Sequence, residues 1–234
     1  MIVDGVSFDV ARGEFVTLIG PNGAGKTSLF NLLSGLYRPN GGSIALDGTD
    51  VTTWPPPRRA RAGLGRSFQT ARVFPSLTVF ENARLAAQAR GLGNLSVWKR
   101  ASADRQEADR AHAALERTGL TGHAAARHAG ALGQGDARKL EIAMLLAAAF
   151  NTLLLDEPTA GVSMEEIPPL LEVIAAVHRL DRKTVLMVEH RMDVIGGLSD
   201  RIAVMHGGRL LTIAPPEAVM ANGAVQEAYL GDAL

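Results

Sequence analysis

The chain has 234 residues, 47% of them hydrophobic and 21% charged, which excludes a disordered or collagen-like polymer and fits one large domain or two small ones. Lysine plus arginine number 24 and aspartate plus glutamate 24, so the chain lacks the basic excess that nucleic-acid binding draws on. With no cysteine, disulfides, thiolate zinc sites and a cysteine nucleophile are excluded. The apolar stretch 142–150 is too short to span a bilayer, and charged Asp4, Asp9, Arg12 and Glu14 interrupt the start where a signal peptide needs apolar residues. The expectation is a soluble, cytoplasmic globular protein.

In chain order, Phe15-Val-Thr-Leu-Ile19 is a short β-branched apolar run ending at Gly20, the pattern of a buried strand. Thr27 to Leu36 places Leu29, Leu32, Leu33 and Leu36 on one helical face, with Gly35 and Pro39 as its stop. Ser43 to Asp47 before Gly48 reads as a strand and turn, and Trp54-Pro-Pro-Pro57 as an irregular link into a short helix. From about 84 to 150 the chain is rich in alanine, arginine and leucine, and nothing in it alternates like a strand. Glycines at 91, 93, 119 and 122 divide it into helices. Strand patterns return at 152–155 and 184–188, flanking a helical stretch at 167–180, and 202–205 with 209–213 reads as a hairpin. Strands alternating with helices predict a mainly parallel α/β sheet. The predicted division is a core of 1–83 and 151–211, a helical subdomain of 84–150 and a tail of 212–234.

Gly20-Pro21-Asn22-Gly23-Ala24-Gly25-Lys26-Thr27 fits G-x-x-x-x-G-K-[ST] between a predicted strand and a predicted helix. Glycines let the backbone wrap close, so that N–H groups and the helix N-terminus point at one anion. Lys26 adds a full positive charge, and the Thr27 hydroxyl is a hard oxygen suited to Mg²⁺. Gly20 to Thr27, extended by Ser28, are the candidate nucleotide-binding residues. Asp156 and Glu157 close an apolar strand at its carboxyl end, where open α/β sheets bind ligands. Asp156 is placed to orient Mg²⁺ and Glu157 to polarise a water attacking the γ-phosphate. Gln69 either contacts Mg²⁺ or the lytic water or is a solvated loop residue. His190 either donates to the γ-phosphate or is an ordinary packed histidine. The residues alone leave both open.

The order of phosphate loop, Gln69, helical segment, Leu132-Gly-Gln-Gly-Asp136, Asp156-Glu157 and His190 resembles the ABC-type ATPases. That resemblance implies the phosphate-loop (RecA-like) fold, with an inserted α-helical subdomain, a small antiparallel β region and a short N-terminal part. The stretch from Leu132 stands where that family has its LSGGQ-like signature. Leu132, Gly133, Gln134, Gly135 and Asp136 are thereby implied to touch ATP held by a second ATPase subunit, identical or related. Gly65 to Asn82, Arg138 to Ala143, Glu157 to Gly161, Val188 to Met192 and Tyr229 to Gly231 are similar to branched-chain amino acid transport ATPases.

The resemblance implies catalytic roles for Glu157, His190 and Gln69, and Mg²⁺ ligation by Thr27, Gln69 and Asp156. It also implies ATP and Mg²⁺ as cofactors, transmembrane permease subunits docking beside Gln69 and the helical lobe, and an indirect solute-binding partner; the apolar segment 74–80 reads either as part of that docking surface or as the core of the lobe itself. The place implied is the inner face of the membrane. Three departures stand out. Gly133 replaces the signature serine and Ala137 a glutamine. Ser163 stands near an expected aspartate. The resemblance also leads one to expect a first strand and an adenine-stacking aromatic ahead of Val3; either the start lies further upstream or adenine is held weakly, and Phe8 reads as an inward strand residue in preference to a substitute. Gly133 reads either as a lost phosphate donor or as a glycine required for positive φ. A weakly active nucleotide-binding subunit and a non-transport ABC ATPase are the alternative readings.

Overall fold

Runs of consecutive apolar residues make the centre of the sheet. β1 (Phe15–Ile19) is buried at every position, as are the residues of a second strand, Thr184–Val188, the signature of strands covered on both faces. The computed structural model describes residues 2–67, 72–89, 97–190, 195 and 197–230. They fall into two compact units, one of Met1–Arg66, Thr152–Glu157 and Arg182–Leu234, the other of Ser67–Asn151 and Pro158–Asp181.

The first unit holds α1 (Lys26–Ser34), β2 (Ala45–Leu46), β3 (Thr49–Asp50), α2 (Pro56–Arg61), β4 (Leu64–Arg66), β5 (Thr152–Asp156), β6 (Thr184–Val188), β7 (Arg201–His206) and β8 (Arg209–Ala214). Its six-stranded sheet runs β4-β5-β6-β1-β7-β8. Every pairing is parallel except β7 with β8. Val16, Leu18, Leu154, Leu186, Ala203 and Phe30 of α1 form one core cluster, and half-buried Phe8 packs against it. β2 and β3 are a separate antiparallel hairpin, turned at Asp47 (φ 50°) and Gly48 (φ 78°), the paired left-handed geometry that matches strand twist.

β4 carries no strand pattern in the sequence, because three residues including a glycine are too few to show a period. The tail expected over 212–234 contains the end of β8 and two short helices, Pro216–Met220 and Gly223–Leu230.

The second unit is helical: α3 (Val79–Gln88), α4 (Val97–Thr118), α5 (His123–Ala126), α6 (Gln134–Ala147) and α7 (Ile167–Asp181). Its core is Val79, Ala83, Ala87, Ala111, Ala114, Leu115, Leu140, Ala143 and Ala147, and the many alanines let the helix axes approach closely. α3 starts on a reciprocal capping box. Thr78 Oγ1 accepts from Glu81 N–H at 3.1 Å, and Glu81 Oε2 accepts from Thr78 N–H at 2.7 Å. The helical unit is wider than the 84–150 expected: it begins at Ser67, and α7 joins it by packing on α4 and α6. The predicted break at 91–93 lies outside the described residues.

One buried cation organises the α1 end of the sheet unit. Arg59 is 1% exposed. It donates through Nη1 to Leu32 O (2.7 Å) and Leu33 O (2.6 Å), through Nε to Trp54 O (3.0 Å) and through Nη2 to Thr52 O (3.0 Å). It thus ties the last turn of α1, where carbonyls run short of helical partners and Leu32 O also accepts from Gly35 N–H at 3.1 Å, to the turn at 52–54. Arg59→Ala removes the donor that these carbonyls share and opens a cavity, so urea unfolding should show a loss of about 2–4 kcal/mol. Arg59→Lys should recover only part of it, since an ammonium lacks the fork.

Candidate nucleotide-binding site

Parallel pairing brings three strand ends to one edge. Leu18 of β1 stands opposite Val188 of β6, and Val188 opposite Asp156 of β5. Cross-strand bonds continue past this row: Glu189 N–H donates to Leu18 O at 3.3 Å and Glu157 N–H to Val188 O at 3.0 Å. Gly20, Glu157 and His190 therefore emerge within two residues of a common level.

The loop between β1 and α1 needs glycine at two points. At Gly20 (φ 152°) an added Cβ would lie 2.2 Å from Met205 O, and at Gly25 (φ 98°) 2.7 Å from Ile2 O. At exposed Gly23 (φ 80°) it would meet nothing within 4 Å, so only the left-handed backbone favours glycine there. Pro21 is half-buried, Asn22 and Thr27 are exposed, Ala24 is buried and Ser28 half-buried on the first turn of α1. Lys26 is 6% exposed, and its Nζ donates to Gly20 O (2.6 Å) and Pro21 O (2.9 Å). Burial holds its pKa below the ordinary lysine value, and the charge of Glu157 partly opposes that shift.

Asp156 is 1% exposed, and Arg66 Nη2 donates to its Oδ2 at 2.9 Å. Glu157 takes φ 49°, a left-handed conformation that costs a non-glycine residue about 1–3 kcal/mol. The turn sends its carboxylate to His190, whose Nε2 lies 2.7 Å from Glu157 Oε1. His190 N–H also donates to Oε2 of buried Glu189 at 3.2 Å. The structure thus gives His190 a partner that the sequence left open. Gln69 lies outside the described residues.

The donor set fits a magnesium nucleotide. Gly23 leaves backbone room for phosphate, Lys26 brings charge, and Thr27 and Asp156 offer the hard oxygens that Mg²⁺ prefers. Arg66 and buried Glu189 carry no motif signal of their own and were missed by sequence reasoning.

The signature residues lie in the helical unit. Leu132 is half-buried, Gly133 and Gln134 are exposed, Gly135 is buried and Asp136 half-buried. Gly133 is the N-cap of α6 at φ −66°, ψ 167°, so no positive φ requires glycine there. Asp136 lies in the first turn of α6, 3.8 Å from Lys139, favourably placed against the helix dipole. The Glu166 carboxylate covers this turn. An added Cβ at Gly135 would stand 2.8 Å from Glu166 Oε1 and 3.0 Å from its Cβ, whereas at Gly133 the nearest atom, Glu166 Oε1, is 3.5 Å away. Ser163 hydrogen-bonds that same carboxylate at 2.8 Å.

A parallel sheet with a glycine loop, buried lysine and paired acids at its carboxyl edge defines a phosphate-loop nucleotide-binding fold. The family model for the ABC transporter matches residues 3–160, and the chain belongs to that family. It is 40% identical over 240 residues to the high-affinity branched-chain amino acid transport ATP-binding protein LivG of Escherichia coli and of Salmonella typhimurium, covering 100% of this chain and 93% of each relative. It is 39% identical to BraF of Pseudomonas aeruginosa, described in the same words, at the same coverage. Among solved structures, the ADP conformation of MJ1267, an ATP-binding cassette of an ABC transporter, superposes with a TM-score of 0.83 at 26% identity, covering 98% of this chain and 92% of that one. A dimeric post-hydrolysis cassette bound to ADP and Pi, MJ0796, shares the fold at a TM-score of 0.77 and 23% identity, covering 92% and 90%.

Lys26→Met should weaken nucleotide binding about 10–100-fold, the worth of a charge-assisted phosphate contact, in titrations with a fluorescent nucleotide analogue. Near neutral pH it should fold at least as stably as the unaltered protein, because a buried ammonium is costly. The unfolded chain holds that proton up to the ordinary value of 10.5 while the folded chain releases it earlier, so stability rises with pH through that window. The gain in the variant should therefore shrink as pH approaches 10.5.

At the signature, Gly133→Ser should raise stability by a few tenths of a kcal/mol, roughly the step from glycine to serine at an N-cap. Gly135→Ala makes the Glu166 carboxylate swing aside and give up its bond from Ser163, so it should lose about 0.5–1.5 kcal/mol, the worth of one hydrogen bond. Urea unfolding of the two variants separates these opposite signs.

Proposed function

We propose that the chain is the ATP-binding and ATP-hydrolysing subunit energising an ABC importer for branched-chain or related amino acids. The convergence of Lys26, Asp156 and the Glu157–His190 pair on one sheet edge carries the hydrolytic part of this reading. The similarity to LivG and BraF over the full chain supports the solute class.

In this reading the backbone from Gly20 to Thr27, with Ser28, cradles the phosphates, and Lys26 exchanges its contacts to Gly20 O and Pro21 O for phosphate oxygens. Thr27 and Asp156 would hold Mg²⁺, with Gln69 added by resemblance. The ion, when bound, draws charge from the phosphate oxygens. Glu157 takes a proton from water as the water oxygen bonds to the γ-phosphorus and the bond to the β–γ bridging oxygen breaks, releasing ADP. His190 orients the carboxylate through Oε1, and giving up that contact would free its Nε2 to donate toward the transferred phosphoryl group.

Leu132 to Asp136 serve the nucleotide of a second ATPase subunit, identical or related. Permease subunits and, indirectly, a solute-binding protein complete the assembly at the inner membrane face. No helix among the described residues is long and apolar enough to cross a membrane, in keeping with a peripheral subunit. A second reading, a subunit that binds nucleotide but turns over slowly, draws on the missing hydroxyl at Gly133 and the carboxylate of Asp136 in the first turn of α6.

Glu157→Gln should keep nucleotide affinity and slow phosphate release by about 10²–10⁴-fold, the scale of a lost general base. Undiminished turnover in the purified variant would remove Glu157 from the mechanism. Turnover near background in the unaltered protein would favour the second reading.

A further inference from the structure

Arg66 ends the edge strand β4, paired through Leu154 to β5 two residues before Asp156. Its side chain is 9% exposed and that of Asp156 2%. Nη2 donates to Asp156 Oδ2 at 2.9 Å, while Nη1 donates to Asn31 Oδ1 at 2.7 Å and to Ser34 Oγ at 2.8 Å. Asn31 and Ser34 belong to α1, the helix that the phosphate loop opens, and the guanidinium carbon lies 5.8 Å from the Phe30 ring centroid. One planar group therefore ties the carboxylate at the end of β5 to the helix that carries Lys26 and Thr27.

An aspartate carboxylate turns about two bonds, and a charge-assisted bond to one oxygen in a buried site narrows where the other can point. We infer that Arg66 is a positioning residue which holds Asp156 in register with Thr27 for the Mg²⁺ of a bound nucleotide. This rests on the reading of the site as a magnesium-nucleotide site. Two effects of Arg66 oppose each other. Its positive charge repels a divalent cation, whereas its fork fixes the placement of the oxygens that receive one. Placement dominates in this inference, because partners that orient metal ligands are worth about 10–100-fold in metal affinity. A purely structural ion pair would leave the metal dependence alone and act only on folding.

The test is equilibrium binding of a fluorescent ADP analogue to the full chain, in EDTA and across a Mg²⁺ series, alongside urea unfolding. For Arg66→Gln the affinity in EDTA should stay within about twofold, and the Mg²⁺ concentration for half-maximal tightening should rise about tenfold or more. Arg66→Lys keeps the charge but cannot fork to both elements, so it should fall between. Asn31→Ala loosens the other end of the fork without touching Asp156 and should shift the Mg²⁺ midpoint in the same direction by about threefold, a fraction of the full effect. It decides the matter if Arg66→Gln does not fold.

A Mg²⁺ midpoint that is unchanged or lowered in the folded variants would overturn the inference, as would an equal loss of affinity in EDTA and in Mg²⁺. Absence of nucleotide binding by the unaltered protein would instead overturn the functional reading, and the inference with it.

Discussion

Parallel register is the constraint on which the sheet unit depends. Because β5, β6 and β1 run the same way with Asp156, Val188 and Leu18 in one row, the chain must leave all three strands at one edge. Each exit places a different chemistry there: a glycine loop after Ile19, acids at 156 and 157, and an acid and a histidine at 189 and 190. Sliding one strand by a residue would turn every side chain of that strand to the opposite face. It would also break the bonds from Glu157 N–H to Val188 O and from Glu189 N–H to Leu18 O. The buried Val, Leu and Ile side chains that hold the register therefore also hold the site geometry.

Charges at that edge are held under tension by burial. Asp156, Lys26 and Glu189 are each nearly inaccessible, and a buried charge is tolerated when it is paired or hydrogen-bonded. Asp156 has Arg66, and Lys26 has the loop carbonyls of Gly20 and Pro21. The lowered pKa of Lys26 records the remaining cost of its burial. Glu157 adds backbone strain at φ 49°, offset by its contacts to Val188 and His190. Such local cost at a convergent polar edge is what distinguishes a binding site from an ordinary loop cluster.

The helical unit is built on a different economy. Its core is mostly alanine, so stability rests on close helix approach and well-formed termini more than on large side chains. The Thr78–Glu81 capping box starts α3. Buried Asn82 pins the preceding turn by donating to Thr78 O at 2.9 Å and to Phe74 O at 3.1 Å while accepting from Phe74 N–H at 2.8 Å. The start of α6 is shaped by Glu166, whose side chain would have to move for a Cβ at Gly135 and not for one at Gly133. The two signature glycines thus exist for different reasons: packing at 135, and no steric requirement at 133.

The sequence by itself determined the long elements and the motif residues. Five-residue apolar runs and the leucine spacing of α1 carry their own periodicity, and the phosphate loop is contiguous, so its chemistry is readable without a fold. Asp156 and Glu157 were legible for the same reason, as acids capping an apolar run. Only the tertiary structure decided what depends on partners distant in the chain. It made β4 a strand, since three residues gain strand identity only by pairing with β5. It joined α7 to the helical unit through packing on α4 and α6. It gave His190 its contact with Glu157 across 33 positions and Arg66 its contact with Asp156 across 90. A local pattern records local preference; these contacts arise where strands far apart in sequence come to lie side by side, and no periodicity in the chain encodes that distance.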